Sequence, residues 1–488
     1  MKMARKVLAL LLIAVLVAGV FAGCGGGSSA DDGEVVTLIV RTRNTAANED
    51  FDRVMEYVND MLEEKINARI ELQLYANTTE MNTQTDLDMA AGDPIDLVWL
   101  NQSTYVTYTN EGGLMPLNEL MEDYAPGLKE SIREAYWNAL DINGEVYAVP
   151  NQQIAVSYKA MLVQKSYADA YGKLPEHINS MEPVEEFADW LVENAPEGVY
   201  AFNNSSINVY YSLPENENEA VSGASMLKVN YSDPTKVVQD VWHEFYKPTG
   251  VVHDEIEKGW VHPGVASGAD LSADLVAGKF VCLFDTNRPG IEAEYKVRYG
   301  GVDWIRIPVG NPYTNTKSLT STMFGIPYTS ENPEKAMELL YLLHTDKELF
   351  NALAFGIEGV HYDKVSENKV AVKENSGWGG YTATWALGNS FLAYAYGDQD
   401  EDLAEQTIAI NEAAALSPID GFKFDPVGWE SVIANINAIR TEYNTSYYYE
   451  DSATRYDAYM KKLKDANVDG LIAAVQEQLD AYWANKNG

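Results

Sequence analysis

The sequence predicts an α/β protein folded into two lobes, on three grounds. The chain has 488 residues, a length that allows about three domains and fits two large lobes equally well. From Val35 to Leu100 the pattern runs strand, helix, strand, helix, strand, the order of a parallel sheet with helices on its faces. A second group of strand-like runs begins after Pro150, at Ser157, Phe280 and Asp303.

The elements follow in chain order. Lys2, Arg5 and Lys6 precede an apolar run from Val7 to Phe21, the shape of a secretory signal and too short for a dedicated spanning helix. Gly25 to Ser29, after Cys24, form a flexible Gly/Ser tether. Val35 to Val40 reads as a buried strand. Phe51, Val54, Met55, Val58, Leu62 and Ile66 recur at helical spacing. Ile70, Leu72 and Leu74 alternate along a second strand. Leu87, Met89 and Ala90 mark a short helix that stops at Gly92-Asp93-Pro94, and Asp96 to Leu100 is a third strand. Gly127 to Leu140 is helical, and Glu145 to Val149 is a strand ending at Pro150, where the chain crosses to the second lobe. Ser157 to Leu162, Phe280 to Phe284 and Asp303 to Pro308 are strands of that lobe, and Met323 to Ile326 is a return strand. Pro333 sits at a tolerated early position of a helix carrying Ala336, Leu339, Leu340 and Leu343. Trp429 to Tyr443, Tyr456 to Lys464 and Val468 to Trp483 are helices, and Pro214 to Ala220, rich in Glu, is a solvated loop. The expected divisions are a signal peptide over 1–23 and a tether over 24–34. The first lobe takes 35–149 with about 318–370, and the second takes 150–317 with about 371–488, including the C-terminal helices.

Composition excludes several functions. Asp plus Glu is 73 against 35 Lys plus Arg, a net charge of −38. Nucleic acid needs a basic face, so none is expected as a partner. Charge alone cannot hold such a chain on anionic lipid, and self-repulsion favours a monomer. Of two cysteines, Cys282 lies in the apolar run Phe280 to Phe284 and reads as a small buried hydrophobe. The 31 Tyr and 10 Trp supply flat, amphipathic rings for cores and polar ligand sites alike.

Phe21-Ala22-Gly23-Cys24 resembles the lipobox of bacterial lipoproteins, with Phe where Leu is usual. The resemblance implies that Cys24 becomes the mature N-terminus and carries diacylglycerol. Asp96-Leu97-Val98-Trp99, Gly113-Leu114-Met115-Pro116-Leu117 and Gly144 to Pro150 resemble family 1 extracellular solute-binding proteins of bacterial ABC importers. Asn351-Ala352-Leu353, Gly356 to Tyr362, Leu416-Ser417-Pro418 and Gly421 to Pro426 resemble the branch with a C-terminal DUF3502-type domain. The resemblance covers essentially the whole mature chain. It implies a type II periplasmic-binding-protein fold, two discontinuous α/β lobes with a hinge and an interlobe cleft. It also implies a carbohydrate ligand, an ABC permease as partner, and a place on the outer face of the plasma membrane, without catalysis, cofactor or metal.

Ligands of parallel α/β sheets sit beyond the carboxyl ends of strands, which selects the candidate residues. Arg41, Arg43 and Asn44 follow the first strand, as ligand contacts or as a solvated loop with structural ion pairs. Trp99, Asn101, Gln102 and Tyr105 follow the third; in relatives this loop lines the cleft, although Trp99 could be core. Asn151, Gln152 and Gln153 stand at the inferred hinge, facing ligand or capping a turn. Asp285, Thr286, Asn287 and Arg288 follow the Phe280 strand, and the resemblance implies that they face the cleft. Arg288 could clamp a ligand or form a fixed interlobe ion pair. Trp378, Tyr381 and Trp385 lie in a Gly-rich stretch, as stacking platforms or as core. Phe422 and Phe424 match the branch motif or simply pack.

Other classes have little support. Trp242-His243-Glu244 begins a zinc motif, but Lys247 stands where the second His belongs. No G-x-S-x-G elbow is present, which leaves a glycoside hydrolase resting on carboxylate pairs that 73 acids supply in any case. Asp398, Asp400 and Asp402 alternate as in a calcium loop, but Leu403 replaces the required Gly. The same fold could bind a peptide or a sugar acid, and a surface adhesion protein would keep the anchor without a closing cleft.

Overall fold

The computed structural model describes residues 34–44, 48–206, 209, 212–213, 218–239, 251–446 and 452–487. The signal-like segment, Cys24 and its tether, and the Trp242-His243-Glu244 run lie outside these residues. Among the described residues no helix is long and apolar enough to cross a membrane.

The chain first lays down β1 (Val36–Arg43), β2 (Ala68–Tyr75), β3 (Leu97–Leu100) and β4 (Ala148–Pro150). It then crosses over to build β5 (Ser157–Gln164) and β6 (Tyr200–Phe202). A small antiparallel sheet of β7 (Asn218–Val221), β8 (Ala224–Asn230) and β9 (Asp233–Gln239) follows, then β10 (Phe280–Thr286) and β11 (Trp304–Thr314). The chain returns as β12 (Met323–Gly325) and adds β13 (Tyr362–Lys364), β14 (Lys369–Val372) and β15 (Ala395–Tyr396). It crosses once more to β16 (Ala415–Leu416) and the C-terminal helices.

The first sheet has the order β2-β1-β3-β12-β4 and the second β16-β11-β5-β10-β6. Two discontinuous α/β lobes result, each completed by a return of the chain. β1 runs parallel to β2 and β3, as the alternation of strands and helices requires. Leu38 and Val40 are buried on it because helices cover the sheet. The helix Phe51–Ile66 buries Val54, Met55, Val58 and Leu62 and ends at Asn67, in the left-handed region at φ 51°. Pro150, which has no N–H to donate, is tolerated because β4 is an edge strand.

Four expectations need correction. Gly127 to Leu140 is not one helix: Leu128–Ser131 and Glu134–Leu140 are separated by extended Ile132. The break buries Ile132 and lets Arg133 Nη1 donate to Asn411 O at 2.9 Å. Only the end of Glu145 to Val149 is a strand, because Ile142 and Glu145 bridge around a turn with Asn143 and Gly144 at φ 58° and 90°. The solvated loop at Pro214 to Ala220 becomes β7 from Asn218 onward, while 214–217 lie outside the described residues. Last, the chain stays with the first lobe beyond residue 371, since Trp378, Leu387, Tyr394 and Tyr396 belong to that lobe's core.

The C-terminal helices Glu430–Ser446, Ser452–Asp465 and Val468–Asn487 share a core with the β7–β9 sheet. Phe422 and Phe424 are packing residues of that core. Cys282 is buried in the second lobe, where burial pushes its thiol up.

Glu219 is the unexpected member of this region, a carboxyl only 7% exposed at the joint of β7 with Ser417. Ser417 Oγ donates to it in a short hydrogen bond, and Tyr231 OH donates at 3.4 Å. Burial outweighs these donors and pushes Glu219 up from 4.5 to about 7. An unfolded chain ionises this carboxyl near 4.5, whereas the folded one keeps it protonated. The stability is therefore intact below pH 4.5 and is lost as pH rises to about 7. The loss amounts to about 3 kcal/mol. Glu219→Gln is expected to abolish that part of the pH dependence, read as the difference between wild-type and variant urea unfolding at pH 4.5 and 7.5.

Candidate ligand-binding cleft

Three connections join the lobes, at 151–156, 315–322 and 397–414. They are tied to one another. Asn151 N donates to Thr322 O at 3.0 Å. The buried Asn411 accepts from Ala155 N at 2.8 Å and donates to Gln153 O at 2.7 Å, so one amide clamps the first connection to the third. Gln152 N donates to Gly388 O, and Ser390 Oγ donates to Gln152 O, both at 2.8 Å.

A cavity of about 610 Å³ opens between the lobes beside these connections. The second lobe contributes Ser157, Tyr158 and Lys159 from β5, and Asp285, Thr286 and Arg288 at the end of β10. The first lobe contributes Phe355, Tyr381, Trp385, Phe391 and Tyr394. A volume of this size with aromatic walls and scattered polar groups is typical of a small-molecule site.

The segment Gly380–Ala386 forms the aromatic wall. It lies against the helix Lys347–Phe355, and a Cβ at Gly380 would stand 2.3 Å from Leu353 O, so only glycine fits there. Tyr381 stacks on Phe355 with ring centroids 5.6 Å apart. Trp385 meets the buried Trp99 edge-on at 5.8 Å. The backbone of Trp385 is held by Asn151 Nδ2, which donates to its carbonyl at 3.0 Å. Both rings are half-buried, with the remainder turned to the cavity.

Of the residues expected at the site, Gln153, Asp285, Thr286, Arg288, Tyr381 and Trp385 line the cavity. The others do not. Arg41 is buried, donating to Gln73 and Thr85 and paired with Asp88, whose carboxyl Arg41 holds below its usual range. Arg43 donates to Thr78 Oγ1 and, at 2.8 Å, to Ala76 O. Asn44 and Trp378 border, with Arg43, a crevice of only about 10 Å³. Trp99 is core, and Asn101 caps the helix Gln102–Asn110 in a capping box with Thr104. Gln102 opens that helix, and Tyr105 OH donates to Leu140 O at 2.6 Å. Asn151 and Gln152 hold the hinge. Asn287 is buried and accepts from Arg306 Nη1 at 3.1 Å. The ring of Trp378 is 4% exposed and its Nε1 donates to Leu353 O at 3.0 Å, so it belongs to the core.

One physical reason covers most of these misplacements. Gly380–Ala386 folds over the carboxyl ends of β1 and β3, where Thr42 Oγ1 donates to Ala386 O at 2.8 Å. The strand ends face this covering layer, and the layer faces the cavity.

The charged groups are largely paired. Arg288 lies 3.2 Å from Asp285 and 2.6 Å from Glu294, so its fork forms an ion pair within the second lobe rather than between lobes. Burial alone would raise Asp285, but Arg288, the Thr286 amide and Tyr295 outweigh it and hold the carboxyl below its usual range. A carboxylate held ionised in this way cannot serve as a general acid. Asp398 pairs with Lys296, and Asp400 and Asp402 accept from Gln406. Among the described residues no three His, Cys, Asp or Glu side chains are placed to hold a metal ion. Lys159, Lys317 and Phe391 also line the cavity. Of these, only Lys159 left a sequence signal, a lone charge entering an otherwise apolar strand.

Comparison with known proteins gives a consistent set of likenesses. Residues 418–484 match the family described as a domain of unknown function, DUF3502. A carbohydrate ABC transporter substrate-binding protein from Streptococcus pneumoniae serotype 4 is 26% identical over 448 residues, covering 90% of this chain and 89% of the relative. The N-glycan transport solute binding protein (NgtS) from Streptococcus pneumoniae, solved in complex with Man1GlcNAc, superposes with a TM-score of 0.78 at 23% identity, covering 92% of this chain and 99% of that one. The alginate-binding protein AlgQ2 superposes with a TM-score of 0.63 at 16% identity, covering 92% and 98%. These structures share a bilobed α/β fold of the periplasmic-binding-protein type.

Proposed function

We infer that this chain is the extracytoplasmic solute-binding protein of a bacterial ABC sugar importer, with a DUF3502-type C-terminal domain. It captures a carbohydrate between its lobes and presents it to the permease, and no reaction takes place on it. The observation that carries the reading is the cavity of about 610 Å³ between the lobes, walled by Tyr381 and Trp385. Sugars offer C–H faces to such rings and hydroxyls to the polar groups around them. Hinge closure on the ligand gives the permease two distinguishable states. Acylation of Cys24 would hold the protein at the membrane surface, and its acidity favours a monomer. The names of the relatives, which refer to carbohydrate, N-glycan and alginate, support the ligand class.

The test is a thermal-shift screen of the full-length chain in detergent against oligosaccharides, monosaccharides, sugar acids and short peptides. A ligand at 100 times its Kd adds about 2.7 kcal/mol, so a true ligand raises the Tm visibly. A shift with an oligosaccharide series is the expected result. A shift with peptides alone would keep the importer and overturn the sugar, and no shift at all would favour the adhesion protein.

A further inference from the structure

Five basic and four acidic side chains line the cleft of a protein whose net charge is −38. Arg288 and Arg298 line it, but Asp285 and Glu294 neutralise them. Lys347 donates to Asn368 Oδ1 at 2.7 Å and lies over the ring of Tyr394. Lys159 and Lys317 differ: among the described residues neither side chain makes a hydrogen bond or an ion pair. Glu401 and Glu405 reach the cavity as exposed residues, and neither is among the charges acting on Lys159.

The position of Lys159 is fixed by the sheet. It lies on the central strand β5, opposite Thr286 of β10 and Val309 of β11. Its side chain is exposed to the open cavity, and the walls around it lower its pKa. Asp285 partly offsets this, while Lys317 and Arg288 add repulsion. An ammonium without a hydrogen-bonded counter-ion, sharing the cavity with a second such lysine, is a ready partner for an incoming anion.

We propose that the cleft takes a carbohydrate bearing an anionic group, a carboxylate or a phosphate or sulfate ester, held between Lys159 and Lys317. This rests on the carbohydrate-capture reading and narrows its ligand. A lysine is a point charge without a preferred planar partner, so it accepts each of these groups. A neutral sugar would displace water from Lys159 and return no counter-charge.

Calorimetry on the full-length chain in detergent, with matched probes, tests the proposal. The pairs are trigalacturonate and its methyl triester, 3′-sialyllactose and its methyl ester, and cellobiose 6-phosphate and cellobiose. They distinguish carboxylate from phosphate as the preferred anion. The charged member of at least one pair is expected to bind about tenfold tighter than its neutral partner. Lys159→Met should bring the two within about threefold, with Lys317→Gln removing part of the preference. Should Lys159→Met fold poorly, Lys159→Gln makes the same measurement. A neutral member that binds as tightly as its charged partner, unaffected by Lys159→Met, overturns the anionic ligand and leaves carbohydrate capture standing. Failure of every pair to bind a normally folded chain overturns both.

Discussion

Trp378→Ala is expected to lower the unfolding free energy by about 3–5 kcal/mol while leaving carbohydrate affinity within about threefold of wild type. The indole is buried, tilts against Phe51 at 6.1 Å and donates to Leu353 O at 3.0 Å. Truncation therefore opens a cavity and orphans a carbonyl, two costs that add. Urea unfolding with calorimetry at a temperature where the variant is folded measures both quantities. Weakened binding at unchanged stability would move this ring from the core to the cleft.

Trp385→Ala has the opposite signature. Affinity is expected to fall by about 1–3 kcal/mol, roughly 5- to 150-fold, with a change in stability of about 1 kcal/mol. Its ring is half-buried, braced on one edge by Trp99 and open to the cavity on the other. Its carbonyl, held by Asn151 and Thr322, survives the substitution, so the wall keeps its course. Trp385→Phe should recover part of the loss, because a smaller flat ring still covers a sugar face. An affinity unmoved by Trp385→Ala, measured on the identified ligand, would refute stacking.

The contrast between the two tryptophans shows what the sequence contains. Local pattern sufficed for β1, β2 and β3, since burial on both faces writes itself as an apolar run and half-burial as alternation. The site depends on contacts between distant segments. Thr42 and Ala386 are 344 residues apart, and that contact covers the strand ends from which Arg43, Asn44 and Asn101 were expected to reach a ligand. Trp378 and Trp385 share a Gly-rich stretch in the sequence, yet one points into a helix packing and the other into open space. Glu219 illustrates the same limit. A stretch dense in Glu reads as solvated, and only the C-terminal helices packed across β7–β9 make it buried.

The buried state of Cys282 has a practical use. A thiol that is fully enclosed and held protonated does not react with maleimides. With Cys24 replaced or acylated, every reactive sulfur on the protein can therefore be one placed deliberately. Val365 on the first lobe and Val276 on the second are both more than half exposed. Cysteines at these two positions would carry a donor and an acceptor dye without removing the native thiol. Lobe movement would then read out as energy transfer, making the chain a reagentless optical sensor for whatever it captures.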